Sequence, residues 1–211
     1  MSSGAGQESN VRRAERHRST KETEISVALC LEGEGRVDNA TGLPFFDHML
    51  DQLGRHAGWD LSVGAKGDLE VDAHHTVEDV GIVVGQTLAE ALGSKSGIRR
   101  FASVLLPLDE ALIQVALDLS GRPYLAYDVE LPPDSQPLGQ PGFDPQLAEE
   151  FFRAFATSAA LTLHIRMISG RNPHHVLEAS FKGVARSLYD AVRVERGGIP
   201  STKGTLGDGG A

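Results

Sequence analysis

Apolar residues fall in two alternating patterns along the chain, and the patterns come round twice. Ile25, Val27, Leu29 and Leu31 alternate with polar or small residues, which predicts a half-buried strand. Phe46, Met49, Leu50 and Leu53 have helical spacing and follow Pro44, a residue suited to a helix start. Two short strands are expected at 59–63 and 68–72, then a helix on which Val77, Val80, Val84, Leu88, Ala91 and Leu92 share a face. After a break at Gly93–Gly97 the pattern restarts. Val115-Ala116-Leu117-Asp118-Leu119-Ser120-Gly121 repeats Val27-Ala28-Leu29-Cys30-Leu31-Glu32-Gly33, and Phe151-Phe152 echoes Phe45-Phe46. A last helix carries Leu177, Phe181, Val184, Leu188, Ala191 and Val192.

The offset between copies is 88 residues at Val27/Val115, 106 at Phe45/Phe151 and 100 at His74/His174, so this is a duplication with insertions. The Pro/Gly-rich loop 132–145 is one insertion. Two copies are too few for a solenoid but enough for two packed halves about a pseudo-twofold axis. The expected fold class is therefore α+β, a duplicated two-layer unit in which helices cover one face of each small β-sheet. The halves are read as 21–93 and 94–193. Residues 1–20, polar and arginine-bearing without apolar periodicity, are expected to be disordered. Residues 194–211 form a Gly-rich tail.

Composition narrows the function. The chain has 211 residues and is 40% hydrophobic, enough to bury a sizeable core. A formal net charge of −9 argues against a general nucleic-acid partner or an acidic membrane surface. The lone cysteine, Cys30, permits no intrachain disulfide and fits a reducing cytoplasm, and no signal-peptide or membrane-spanning run is read. Histidine is the unusual component: there are eight.

Four of them sit in two copies of one motif, His74-His75-Thr76-Val77-Glu78 and His174-His175-Val176-Leu177-Glu178, each opening a helical stretch. On a helix the first His and the Glu lie one turn apart on one face. The second His points about 100° away, so the two imidazoles of a pair suit different ions better than one. Glu in a first turn is also favoured by the helix dipole alone, but that does not explain clustered histidines. His48 and His164 stand near these motifs without being repeat equivalents; each is a candidate ligand or a packed core histidine. An imidazole and carboxylate set without thiolate suits Mn, Fe, Co, Ni or Zn. Positions left open after these donors suit catalysis.

The stretches HHTVEDVG and NPHHVLEASFKGVARSL resemble the two signature motifs of the imidazoleglycerol-phosphate dehydratase family. Lys21-Glu22-Thr23, Phe46-Asp47-His48-Met49-Leu50, Arg100-Phe101, Leu108-Asp109-Glu110-Ala111-Leu112, Gly121-Arg122-Pro123 and Ser201-Thr202-Lys203-Gly204 also match, from about residue 20 to 206. Departures such as Pro173 and Leu108 touch no ligand position.

The resemblance implies a dehydratase of histidine biosynthesis, with two Mn2+ per active site held by His48, His74, His75, Glu78, His164, His174, His175 and Glu178. It implies a homo-oligomer of 24 subunits with sites between chains. The implied reaction takes imidazole-glycerol phosphate to imidazole-acetol phosphate and water through a metal-stabilised imidazolate and a diazafulvene. Glu22 is the first candidate for acid/base work and Asp109 the second. Glu22, Gln52, Arg100, Arg122, Lys182, Ser201 and Lys203 are the candidate substrate contacts, the cations cradling the phosphate. The tail is a candidate lid. Two readings compete: a dimetal phosphate-ester hydrolase, and a metal-dependent structural assembly with no turnover.

Overall fold

The computed structural model describes residues 11–195, 198, 199, 201, 202, 204 and 206. Two four-stranded sheets are built on one plan. The first is ordered β1 (Arg13–Ser19), β2 (Thr23–Cys30), β4 (Asp60–Gly67), β3 (Val37–Ala40); the second β5 (Phe101–Leu108), β6 (Ala111–Asp118), β8 (Thr162–Ser169), β7 (Tyr124–Asp128). In both, the first two pairings in that order are antiparallel and the last is parallel. The helices also correspond: α1 (Pro44–Ala57) with α3 (Leu147–Ser158), and α2 (His74–Leu92) with α4 (Pro173–Ala191). This is the expected duplicated α+β unit.

Strand alternation was read correctly where one face is apolar. Ile25, Val27 and Leu29 are buried, as are Ile113, Val115 and Leu117. Elsewhere the structure corrects the reading. Arg13–Ser19, inside the segment expected to be disordered, is strand β1, paired along its length with β2. Only Ala14 of β1 is buried, so its backbone ladder holds it without a hydrophobic pattern to announce it. Residues 1–10 lie outside the described residues. The two strands expected at 59–63 and 68–72 are one strand, β4. Its pairing with β2 ends at Thr23↔Gly67, and residues 68–72 turn to start α2, with the Val71 amide donating to the Asp68 carbonyl at 2.8 Å.

Each long helix lies on its own sheet and packs against the short helix of the other half, α2 on α3 and α1 on α4. Residues from both sheets and all four helices form one continuous core. Phe143, from the 132–145 loop, is buried against Phe45 and Phe46. The α2–α3 contact depends on two glycines. A Cβ on Gly81 would sit 2.7 Å from the Phe151 carbonyl oxygen, and one on Gly85 2.6 Å from that of Phe155. Backbone cannot swing aside as a side chain can, so Gly85→Ala must push the helices apart. The expected loss is about 1–3 kcal/mol of stability, as for other overpacked cores. Urea denaturation beside the parent protein checks this; an unmoved midpoint would mean the interface accepts a methyl group.

Candidate metal centre and its surroundings

Both motifs sit where the sequence placed them, at the first turns of α2 and α4. Asn172 caps α4 by accepting from the His174 amide, and Pro173 occupies the first turn. The rings of each His-His pair diverge: 6.3 Å between centroids and 87° between planes for His74/His75, 6.1 Å and 82° for His174/His175. The helical reading of the pairs is correct.

Among the described residues, one group brings three metal-capable donors within 4.8 Å of one another: His48, His174 and Glu178. It forms because α1 packs on α4. His174 Nε2 lies 3.0 Å from Glu178 Oε2, and His48 Nε2 lies 3.4 Å from the same oxygen. Gln52, one turn beyond His48, places Nε2 3.4 Å from His48 Nδ1. Phe45 packs edge-on against the His174 ring at 5.2 Å. Partial burial pushes the Glu178 carboxyl upward, but Lys182, whose Nζ is 2.5 Å from Oε1, and then His174 outweigh it. The net shift is downward, so the group is a carboxylate at neutral pH. His48 is half-buried rather than a packed core side chain.

The second histidine of each pair is held differently. His75 Nδ1 is 3.0 and 3.3 Å from the two oxygens of Asp68; His175 Nδ1 is 2.8 Å from Glu110 Oε2. These hydrogen bonds raise both imidazoles above their ordinary value, helped at His75 by the nearby charge of Glu22. Glu110 falls to about 2, chiefly through His175 and then through the Asn172 amide. Asp109 occupies the tight β5–β6 turn at φ 49, with its carboxylate exposed and 3.8 Å from His175 Nε2. Glu22 lies in the corresponding β1–β2 turn, exposed, its amide donating to Thr20 Oγ1 and its carbonyl accepting from the Asp68 amide. Neither Asp68 nor Glu110 was singled out from sequence. Glu110 stood in a matching motif, next to Asp109, but nothing local said that its side chain reaches α4.

The remaining candidates are spread out. His74 is 3.7 Å from Glu78 at the head of α2. His164 is exposed on β8, on the sheet face away from the core, beside Tyr124; it is neither a core histidine nor part of the His48 group. Arg100 pairs through Nε and a terminal nitrogen with Asp118 at 2.7 and 3.0 Å, and Arg122 reaches the same carboxylate at 3.7 Å. Lys182 is with Glu178 instead. The base of the tail returns to this region, Gly198 accepting from the Gly97 amide and Val194 bridging to Ile98. Ser201 is described, and Lys203 lies outside the described residues. The donor chemistry fits a divalent transition metal: two imidazoles and one ionised carboxylate already face one another, and no thiolate is near.

Residues 41–188 match the sequence profile of the family described as imidazoleglycerol-phosphate dehydratase. Relatives of that name include one from Dinoroseobacter shibae, 55% identical over 93% of this chain and 100% of its own, and one from Acidothermus cellulolyticus, 54% identical over 93% and 94%. Among solved structures, the Staphylococcus aureus enzyme superposes with TM-score 0.77 at 36% identity, covering 87% of this chain and 99% of its own. The Pyrococcus furiosus enzyme, solved with (S)-C348, gives 0.78 at 34%, covering 90% and 100%.

Proposed function

We propose a reaction and a division of labour for this chain, which belongs to the imidazoleglycerol-phosphate dehydratase family and is a hydro-lyase of histidine biosynthesis. The substrate is imidazole-glycerol phosphate, and the products are imidazole-acetol phosphate and water. The observation that carries a metal-dependent form of this reaction is the meeting of His48 with His174 and Glu178 across the two halves. These three, with His74, His75, Glu78, His164 and His175, are the residues that would hold metal. Bound there, two Mn2+ per active site would supply the positive charge that favours the substrate ring as an imidazolate, from which hydroxide departs to leave a diazafulvene.

The chain's own groups do the rest. Glu22 removes the proton from the carbon that becomes the ketone, and its exposed position in the β1–β2 turn beside His75 supports that role. Asp109, whose carboxylate lies 3.8 Å from His175 Nε2, is the second candidate for acid/base work. Arg100 and Arg122 flank one carboxylate and offer guanidinium groups to the phosphate, with Gln52, Lys182, Ser201 and Lys203 as further contacts. The tail folds over this end as a lid. Among the described residues a single chain brings three of the eight donors within 4.8 Å of one another, which supports active sites between the chains of a homo-oligomer, taken as 24 subunits. The chain works in the cytoplasm; among the described residues no helix is long and apolar enough to cross a membrane.

One assay decides between this reading and a phosphate-ester hydrolase. Purified protein given imidazole-glycerol phosphate and Mn2+ should form imidazole-acetol phosphate with no inorganic phosphate released. Phosphate release in step with substrate loss would overturn the dehydratase reading, and no turnover with metal retained would favour a structural role.

A further inference from the structure

We propose that Asp68 and Glu110 are positioning residues for metal binding: each accepts the Nδ1 proton of one motif histidine, His75 or His175, and so turns the bare Nε2 of that ring toward a divalent cation. The assignment rests on the metal-dependent reading above. A carboxylate only accepts hydrogen bonds. A ring nitrogen 3.0 Å from Asp68 or 2.8 Å from Glu110 is therefore the protonated one. In a neutral imidazole the lone pair is then on Nε2, the nitrogen a metal needs.

Two features make this more than a chance contact. Within each pair the two rings are treated in opposite ways. The first histidine directs Nε2 at the motif glutamate, 3.7 Å for His74 and 3.0 Å for His174, while the second is gripped at Nδ1. The two halves also reach this arrangement with carboxylates from different places. Asp68 follows β4, whereas Glu110 is in the β5–β6 turn. The first half's equivalent of that turn carries Glu22, and His75 donates to Asp68 instead. The same ring orientation has thus been reached from non-equivalent positions.

The surroundings of the two carboxylates differ, and this yields an asymmetric test. Glu110 Oε1 accepts from the amides of Asn172 at 2.8 Å and Arg171 at 3.3 Å, while Oε2 faces His175. In Glu110→Gln those amides hold the carbonyl oxygen, so the NH2 group must face His175. It donates to Nδ1 and drives the ring proton to Nε2, blocking the metal. Asp68 offers both oxygens to His75, so the side chain of Asp68→Asn turns its carbonyl to Nδ1 and keeps the tautomer. Asp68→Ala removes the acceptor altogether.

The experiment uses metal-free full-length protein titrated with Mn2+, free ion being read by electron paramagnetic resonance. Melting of the metal-free proteins and nitrogen-15 NMR of labelled histidines accompany it. Glu110→Gln and Asp68→Ala should each weaken Mn2+ binding by about 10–100-fold, the usual cost of losing such a support. Asp68→Asn should bind close to the parent. The His175 signal should move from the Nδ1–H to the Nε2–H form in Glu110→Gln. A merely structural role would lower the metal-free melting temperature and leave both tautomer and affinity alone, and that result would overturn the proposal. Should Glu110→Gln fold poorly, the Asp68 pair decides: parent-like binding in Asp68→Ala also overturns it. If the parent itself binds no Mn2+, the metal reading fails and takes the proposal with it.

Discussion

Glu22→Gln should lower kcat by about 10²–10⁴-fold, the usual contribution of a general acid or base, while bound metal, assembly size and substrate affinity should stay at parental levels. The substitution keeps the side chain's size and removes only its ability to take a proton. The structure gives reason to expect so clean a separation. Glu22 is held by its backbone, through Thr20 Oγ1 and the Asp68 amide, so the turn does not depend on its carboxylate. It is also outside the His48, His174 and Glu178 group, whose geometry is set by α1 and α4. Glu178→Gln should behave differently. It weakens a donor and breaks the ion pair with Lys182 together, so metal content falls along with rate. Measuring kcat, bound metal and substrate affinity on one Glu22→Gln sample settles the matter. Near-normal turnover would remove Glu22 from the chemistry and move the search to Asp109, whereas lost metal would make it a support for His75.

Stripping the metal with a chelator should abolish turnover, Mn2+ should restore it, and the metal-free protein should be smaller in solution than the loaded one. The size change follows from how the donors lie in a single chain. Among the described residues one face-to-face group of three is present, and His164 projects from the sheet face opposite the core. On the proposed reading an ion that draws on both kinds of donor would bridge chains, and a ligand that binds only the assembled form stabilises assembly by mass action. His175→Ala should reproduce the loss of metal and activity without a chelator. Light scattering on protein verified as metal-free checks the assembly, and an unchanged size would count against ligands shared between chains. Full activity in metal-free protein would end the dimetal reading.

Much of this molecule is legible in the order of its residues. Alternation from Ile25 to Leu29 and from Ile113 to Leu117 marks strands because side chains on a pleated backbone point to opposite faces. The helical stripes after His74 and His174, the Pro44 start and the i,i+4 relation of His174 to Glu178 are local as well, fixed within a turn or two. So sequence alone determined the duplicated α+β plan and the residue types of the candidate donors. Tertiary structure decided which donors meet. His48 reaches Glu178 across 130 residues only because α1 packs on α4 of the other half. Glu110 reaches His175 across 65 because a hairpin turn ends beside the head of a helix. Strand β1 was invisible for a related reason, since its order comes from hydrogen bonds to β2 rather than from buried side chains. Periodicity records which face of a segment is buried. It says nothing of what the polar ends of that segment will touch, because those contacts are set by how whole elements pack.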